Sequence, residues 1–105
     1  MKQVIVSKIY NTETAEEIHS WSNGLGSGDF NSLSETLYMT KKGAFFLHGD
    51  GGAMTCWARG NGNSQWGSEG IQPMSKAEAV EWLEQHDGSE ALLEHEAFKS
   101  AVTEA

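Results

Sequence analysis

The spacing of hydrophobic positions changes between residues 58 and 75 of the chain. Before residue 58 the apolar residues form short runs typical of β-strands, and after residue 75 they recur at the three- and four-residue intervals of helices. The pattern predicts an α+β fold, in which a small antiparallel β-sheet packs against two C-terminal α-helices. We expect one domain over residues 1–105, mainly β over 1–58, with a loop rich in Gly, Asn and Ser at 59–70 and the helices at 75–103.

The sheet is predicted to be a meander around a central hairpin at 36–48. Two runs of strand-forming residues, Leu37–Thr40 and Ala44–Leu47, meet at Lys42-Gly43, and glycine readily adopts the positive φ of a tight hairpin turn. Ala44–Leu47 is apolar throughout. We therefore expect the second strand of the hairpin to be buried on both faces of the sheet.

The segments on either side of the hairpin are less regular. Residues 4–10 predict one strand or two short strands, and residues 15–22 fit both helical and strand spacing. At 15–22 we favour a strand, because it would complete the meander. A connecting loop is expected at 23–32, anchored to the core by Phe30. The hairpin is expected to be followed by a sharp turn at 49–52 and by one helical turn or a short strand at 54–58.

Capping residues and periodicity predict the two helices. Ser75 and Glu78 form a capping box, in which each side chain accepts a hydrogen bond from the backbone N–H of the other residue. The first helix is expected to end at Gly88 in the left-handed conformation and to bury the stripe Ala77, Ala79, Val80, Trp82 and Leu83. The second is expected to begin at Ser89 and to bury Leu92, Leu93, Ala97, Phe98, Ala101 and Val102.

The net charge of −8 lies almost entirely in the C-terminal third. Residues 1–68 carry six acids and five bases, which gives −1, whereas residues 69–105 carry nine acids and two bases, which gives −7. An acidic field repels phosphate and attracts basic surfaces, so we expect no direct contact with nucleic acid and a partner protein with a basic surface. Solubility alone is the simpler alternative. The predicted partner-binding residues are Glu78, Glu81, Glu84, Asp87, Glu90, Glu94 and Trp66.

Trp66 belongs to the polar loop 59–70. A tryptophan in such a loop either folds back onto the sheet or stays exposed to anchor a partner, and folding back is favoured because large aromatic surface rarely stays wet.

Candidate chemistry is sparse. The single Cys56 cannot form an internal disulfide and is typical of a reducing compartment, and the chain has no apolar run long enough to span a membrane and no signal peptide at its start. We therefore expect a cytoplasmic protein. Cys56 and His48, oriented by Asp50, could form a nucleophile and base, but a small core thiol is the favoured interpretation. The four histidines form no metal-binding pair, so no catalytic residue, metal or cofactor is predicted.

Two stretches of the chain resemble a known family. They are Tyr10–Ala15 and Ser34–Gly49, and the similarity continues through Gly51–Met54 and Pro73–Ser75. The chain resembles a family of small uncharacterised proteins from phages, plasmids and their bacterial hosts. The resemblance implies a role directed at the host, by analogy with small acidic inhibitors of bacterial defence complexes such as anti-CRISPR proteins.

Three functions remain open from the sequence. The first is a non-enzymatic binding protein that docks an acidic helical face on a host protein that handles nucleic acid. The second is a ligand-sensing or structural module, with a homo-oligomer left open, whose loops 23–32 and 59–70 form a pocket beside the sheet. The third is a small enzyme that uses Cys56 and His48.

Overall fold

A computed structural model describes residues 1–26, 29–61 and 64–104 of the chain. In these residues, all eight strands precede the helices, as the hydrophobic pattern predicts. The strands are β1 Lys2–Ile5, β2 Lys8–Asn11, β3 Glu16–Ser22, β4 Leu33–Met39, β5 Phe45–Gly51, β6 Arg59–Asn61, β7 Ser64–Trp66 and β8 Ser68–Met74. The helices are α1 Lys76–Gln85, α2 Ser89–Glu94 and a 3-10 turn at Lys99–Ala101.

The central sheet has four antiparallel strands in the order β3-β4-β5-β8. The predicted hairpin is confirmed as β4–β5, and Gly43 in its turn has φ +86°. The strand expected at 15–22 is confirmed as β3, which contains a bulge between Glu17 and His19. The α+β prediction, with a meander-like sheet and two C-terminal helices, is therefore correct.

Both faces of the central sheet are covered, which explains why the start of β5 is apolar at every position. Phe45 and Leu47 face the helices, where they join one hydrophobic core with the buried residues Leu37, Ala79, Trp82, Leu83, Leu92 and Phe98. Phe46 faces the other side and packs against Tyr10 and Ile71. The β1–β2 hairpin supplies Tyr10 and thus covers that second face. Burial of this strand on both faces is confirmed.

The first hairpin consists of two short strands joined by a two-residue turn. Ile5 pairs with Lys8, so Val6 and Ser7 form the turn, with φ of 50° and 63°. Positive φ at both central residues is typical of the type I′ turn, whose twist matches that of the flanking strands. Of the two alternatives at 4–10, two short strands is the correct one.

Several predictions for the loops are wrong. Phe30 does not anchor its loop, because 69% of its surface is exposed. The turn expected at 49–52 begins later, since β5 continues to Gly51, and residues 54–58 form neither a helical turn nor a strand. The stretch 59–70 contains the β6–β7 hairpin and the start of β8. Backbone pairing with neighbouring strands fixes these segments, and it does not require strand-forming side chains.

The helical prediction needs three corrections. The capping box at Ser75 and Glu78 is confirmed, but the left-handed residue after α1 is Asp87, with φ 60°, while Gly88 has φ −91°. Glycine is needed at 88 for another reason, since a Cβ there would overlap with the side chain of Leu83. The second helix is short: it ends at Glu94, and Leu93 is 67% exposed. The stripe of α1 excludes Ala77, which is exposed.

No helix in the described part of the chain has the length and apolar character needed to cross a lipid bilayer.

Candidate functional site

The outward face of α1 carries Glu78, Glu81 and Glu84, all of which are exposed. Their three-residue spacing puts them side by side, opposite the buried residues Ala79 and Leu83. Among residues 1–26, 29–61 and 64–104, no Lys or Arg nitrogen lies within 4.0 Å of these carboxylates. Glu78 also accepts the Ser75 backbone N–H at 2.9 Å, so part of its role is to cap the helix.

The other predicted acidic residues do not share this face. Glu90 and Glu94 line a shallow groove of about 380 Å³ between α2 and β3, together with Glu16 and Glu17. In that region His95 Nε2 lies 2.9 Å from Glu16 Oε2, a contact that joins the C-terminal segment to the sheet. The carboxylates therefore cover two separate surfaces, with Asp87 in the turn between α1 and α2.

Trp66 lies at the far end of the molecule from the start of α1. It ends β7, just before β8, whereas α1 begins after the opposite end of β8. Its surface is 48% exposed, so the favoured prediction that it folds back onto the sheet is wrong, and the alternative of exposure is correct. Because β7 pairs only with β6 in the described residues, nothing in that small sheet covers the ring.

Trp66 forms part of a cavity of about 730 Å³ at this end of the sheet, which we call the sheet-end cavity. The predicted loops 23–32 and 59–70 both contribute to it, and the end of β5 completes it. Its lining residues are Leu25, Asp29, Phe30, Ser32, Ser34, Asp50, Gly51, Gly52, Ala53, Gln65, Trp66, Gly67, Ser68 and Glu69. The described residues of the two glycine-rich loops thus meet at one pocket.

Close backbone contacts hold the walls of the sheet-end cavity together. The N–H of Gly52 donates to the carbonyl of Ser32 at 2.9 Å, and the N–H of Met54 donates to the carbonyl of Phe30 at 2.8 Å. A Cβ at Gly52 would lie 2.5 Å from the Phe30 carbonyl oxygen, and a Cβ at Gly67 would lie 2.6 Å from the Gly51 oxygen. Only glycine permits this approach, so the walls of the cavity meet through their backbones.

A second polar cluster, which the sequence analysis did not identify, lies between the sheet and α1. Trp21, Glu35, Gly49 and Gly70 are paired in one row across β3, β4, β5 and β8. Glu35 is only 7% exposed, and its carboxylate accepts the indole N–H of Trp57 at 2.7 Å and that of Trp82 at 3.0 Å.

Trp57 packs against the two glycines of this row, and Gly49 is the one that makes room for its ring. A Cβ at Gly49 would overlap with the indole ring, and one at Gly70 would lie 3.5 Å from it. The ring therefore lies flat on the sheet and reaches Glu35.

Two histidines complete the cluster around Glu35. His86 stacks on Trp82, with ring centroids 4.6 Å apart, and its Nδ1–H donates to the Trp82 carbonyl at 2.7 Å. Its Nε2 lies 3.6 Å from Glu35 Oε1. His19 Nε2–H donates to the carbonyl of His86 at 2.8 Å. Because carbonyl oxygens only accept, both histidines carry a proton on the named nitrogen. The cluster ties β3, β4 and the loop before β6 to α1, and its indole rings enclose the carboxylate.

The alternation of side-chain directions along β4 is the sequence signal that could have predicted a buried Glu35. Leu33, Glu35 and Leu37 occupy every second position, so all three side chains point to the same face of the sheet. A carboxylate between two apolar residues on a buried face must find hydrogen-bond donors. The two indole donors come from positions 22 and 47 residues away in the chain, which no local pattern indicates.

Cys56 and His48 do not form the nucleophile and base considered from the sequence. Cys56 is exposed, so it is also not the core thiol that was favoured, and no hydrogen bond joins it to His48 in the described residues. The Nε2 atom of His48 is buried, has no hydrogen-bond partner among the described residues and lies 3.5 Å from Glu69 Oε2. Partial burial, and then the negative charge of Glu35, raise the pKa of the Cys56 thiol. Both effects disfavour the thiolate that a nucleophile requires.

We therefore expect Cys56 to react slowly with thiol reagents at neutral pH. Its raised pKa lowers the thiolate fraction, so the rate per exposed thiol should fall below that of free cysteine at pH 7 and approach it only at alkaline pH. The measurement is the alkylation rate of the native protein as a function of pH, with the Cys56→Ser variant as the blank. If Cys56 were alkylated faster than free cysteine at pH 7, the result would support the hypothesis of a Cys56/His48 enzyme.

The search for metal sites and for relatives adds no assignment. Among the residues that the structure describes, no three His, Cys, Asp or Glu side chains converge in a way that could hold a metal ion. Comparison of the chain with protein-family models, with curated proteins and with solved structures finds no match. The resemblance to phage and plasmid proteins stays a prediction.

Proposed function

We propose that this protein is a small non-enzymatic binding protein that docks on a basic surface of a host protein. The observation that carries the proposal is the exposed carboxylate face of α1. Glu78, Glu81 and Glu84 point to solvent there, and no described Lys or Arg lies within 4.0 Å of them. Carboxylates without cationic neighbours keep their full charge available to a partner and speed association with a complementary surface.

The charge distribution supports a protein partner over nucleic acid. Residues 69–105 carry a net charge of −7, which repels a phosphate backbone. The same charge complements the positively charged grooves in which proteins hold nucleic acid. A protein that occupies such a groove would compete with nucleic acid and act as an inhibitor. By resemblance to phage and plasmid proteins, the target would be a nucleic-acid-handling or defence complex in the bacterial cytoplasm.

The proposal predicts that loss of charge on α1 weakens capture of the partner. The variant Glu81→Gln/Glu84→Gln removes two exposed carboxylates and leaves the capping residue Glu78 in place. We expect it to recover at least about tenfold less partner from bacterial lysate than the native protein does, and the native complex to dissociate as salt rises from about 0.05 M to about 0.5 M. Affinity capture with quantitative mass spectrometry measures both effects.

The matched control is Glu13→Gln/Glu104→Gln, which makes the same change in net charge at exposed positions away from α1. It should recover as much partner as the native protein. If both variants lose the partner equally, net charge and not the α1 face would be responsible. If the captured partner were insensitive to salt, docking by charge would be wrong.

The sheet-end cavity favours a second candidate function, that of a ligand-sensing module. A cavity of about 730 Å³ is within the size range of small-molecule sites. Asp29, Asp50 and Glu69 line it, so a phosphorylated metabolite would meet repulsion there. A rise in melting temperature with a nucleotide would nevertheless support this second function, because a ligand that binds only the native state raises it.

A further inference from the structure

Resting on the proposed function, we propose that the sheet-end cavity receives an arginine-bearing segment of the basic partner. The α1 face would supply long-range attraction, and the cavity would supply the specific contact. Three features of the cavity point to this occupant, namely its exposed aromatic rings, its carboxylates and the absence of basic side chains among its described lining residues.

Two exposed aromatic rings stand at the cavity. Phe30 and Trp66 both line it, and both belong to the exposed large hydrophobic residues of the chain. Leu25, a third lining residue, is exposed as well. Exposed aromatic surface around a concavity is typical of interaction sites, and Trp is enriched among the residues that dominate binding energy. The planar faces of Phe and Trp are also where a guanidinium group stacks.

The carboxylates at the cavity include a pair of like charges on neighbouring strands. Asp50 in β5 pairs directly with Glu69 in β8, and both are exposed. Directly opposed like charges destabilise a sheet, because their side chains are about 5 Å apart at Cβ. His48 Nε2 lies 3.5 Å from Glu69 Oε2, and Asp50 forms no ion pair within the described residues. A cation placed between the two carboxylates would relieve their repulsion.

No basic side chain competes for these carboxylates from within the cavity. In the part of the chain that the structure describes, its lining residues include three acids and no Lys, Arg or His. Arg59 lies nearby: its Nε–H donates to the Ser68 hydroxyl at 3.1 Å, and it lines a smaller neighbouring cavity together with Glu69. Among the described residues it nevertheless forms no ion pair within 4.0 Å with Asp50 or Glu69. Asp29 uses Oδ1 to accept the Asn31 backbone N–H at 2.8 Å. The charged side chains among the described lining residues are therefore all acidic.

Arginine fits these features better than lysine does. Its planar guanidinium stacks on an aromatic face and at the same time donates several hydrogen bonds to carboxylates, whereas the lysine ammonium is a compact, strongly hydrated charge. The volume of about 730 Å³ also exceeds what one side chain fills, so a short stretch of backbone enters with it. The structure thus assigns the cavity to an arginine together with its neighbouring residues.

The test titrates the full chain with a tetra-arginine peptide and follows it by two-dimensional NMR. The matched ligand is a tetra-citrulline peptide, which keeps the shape of the side chain and removes its charge. We expect the arginine peptide to shift the Trp66 indole signal and the Gly51 and Gly52 amide signals, and the citrulline peptide to shift none of them. Binding of citrulline at equal strength would overturn the proposal, because charge would then contribute nothing.

The variants separate this cavity from the α1 face. Asp50→Asn/Glu69→Gln and Glu81→Gln/Glu84→Gln remove the same charge from different places, so we expect at least about tenfold weaker peptide binding in the first and less than about twofold in the second. The first variant should also melt about 2 °C higher than the native protein, because the two opposed charges are gone. A cooperative melting transition at that temperature would show that the variant is folded. A second cavity variant, Phe30→Ser, should weaken binding of the arginine peptide without any change in the charge of the protein.

The outcomes distinguish failure of this inference from failure of the proposed function. The cavity is not the arginine site if both charge variants weaken peptide binding equally, or if the peptide shifts only the NMR signals of α1. The proposed docking through α1 would stand in either case. If the cavity binds the peptide as expected but Glu81→Gln/Glu84→Gln captures the lysate partner normally, the proposed role of α1 is wrong and the cavity assignment stands. Displacement of the peptide by a nucleotide would overturn the assignment in favour of a small-molecule site.

Discussion

Replacement of Glu35 by Leu is expected to lower the free energy of unfolding by about 3 kcal/mol, out of the roughly 5–15 kcal/mol that holds a domain of this size together. The carboxylate accepts the indole N–H groups of Trp57 and Trp82, and the variant leaves both donors without an acceptor. Each orphaned buried donor costs about 1–3 kcal/mol, and loss of the desolvation cost of Glu35 offsets part of the total. Urea denaturation followed by tryptophan fluorescence measures the change.

A double-mutant cycle shows whether the hydrogen bonds cause this loss. In Trp82→Phe the buried N–H is removed, so adding Glu35→Leu to that background should cost about 1 kcal/mol less than it does in the native protein. If the two substitutions are additive, the indole donors do not account for the effect of Glu35. The cycle is informative because the Trp82 ring stacks on His86, at 4.6 Å between centroids, and Phe preserves most of that surface.

Replacement of Gly49 by Ala is expected to cost about 2–4 kcal/mol, although it adds only a methyl group. The new Cβ would occupy the position of the Trp57 indole, so the ring must leave the sheet and give up its hydrogen bond to Glu35. We expect the fluorescence emission to move to longer wavelength as Trp57 enters water, together with a lower denaturation midpoint.

Gly26→Ala is the control for this second prediction, since a Cβ there meets no atom within 4 Å. It should leave the free energy of unfolding unchanged or raise it by up to about 1 kcal/mol, through the lower entropy of the unfolded chain. In a Trp57→Ala background the Gly49→Ala substitution should add almost no further loss. A full additional loss in that background would mean that the clash is with something other than the indole.

The elements that were predicted correctly depend on interactions between residues close in sequence. The β4–β5 hairpin has Gly43 at its turn, with φ +86°, and apolar runs on both sides. The helix cap formed by Ser75 and Glu78 needs only three residues of separation, and both of its hydrogen bonds are present. Such patterns can be recognised in one dimension because the partners are fixed by their spacing.

The predictions that failed depend on what lies nearby in space. Phe30 and Trp66 are large apolar residues in polar loops, and hydrophobicity alone predicted burial for both. Their loops instead pack through the backbone at Gly52 and Gly67, which leaves the rings at the rim of a cavity. Gly88 was assigned a left-handed φ from its position after a helix, whereas it is required by the nearby Leu83 side chain.

The candidate sites divide in the same way. Composition alone predicts the acidic character of residues 69–105. It also suggests the loops 23–32 and 59–70 as pocket walls, because charge and glycine content are properties of each segment alone. The opposition of Asp50 and Glu69, and the enclosure of Glu35 by two indoles, follow from strand register and from the docking of α1 on the sheet. Docking of α1 brings Trp82 to Glu35, 47 positions away, and His86 to His19, 67 positions away. The energies of such contacts depend on neighbours that do not exist until the chain has folded.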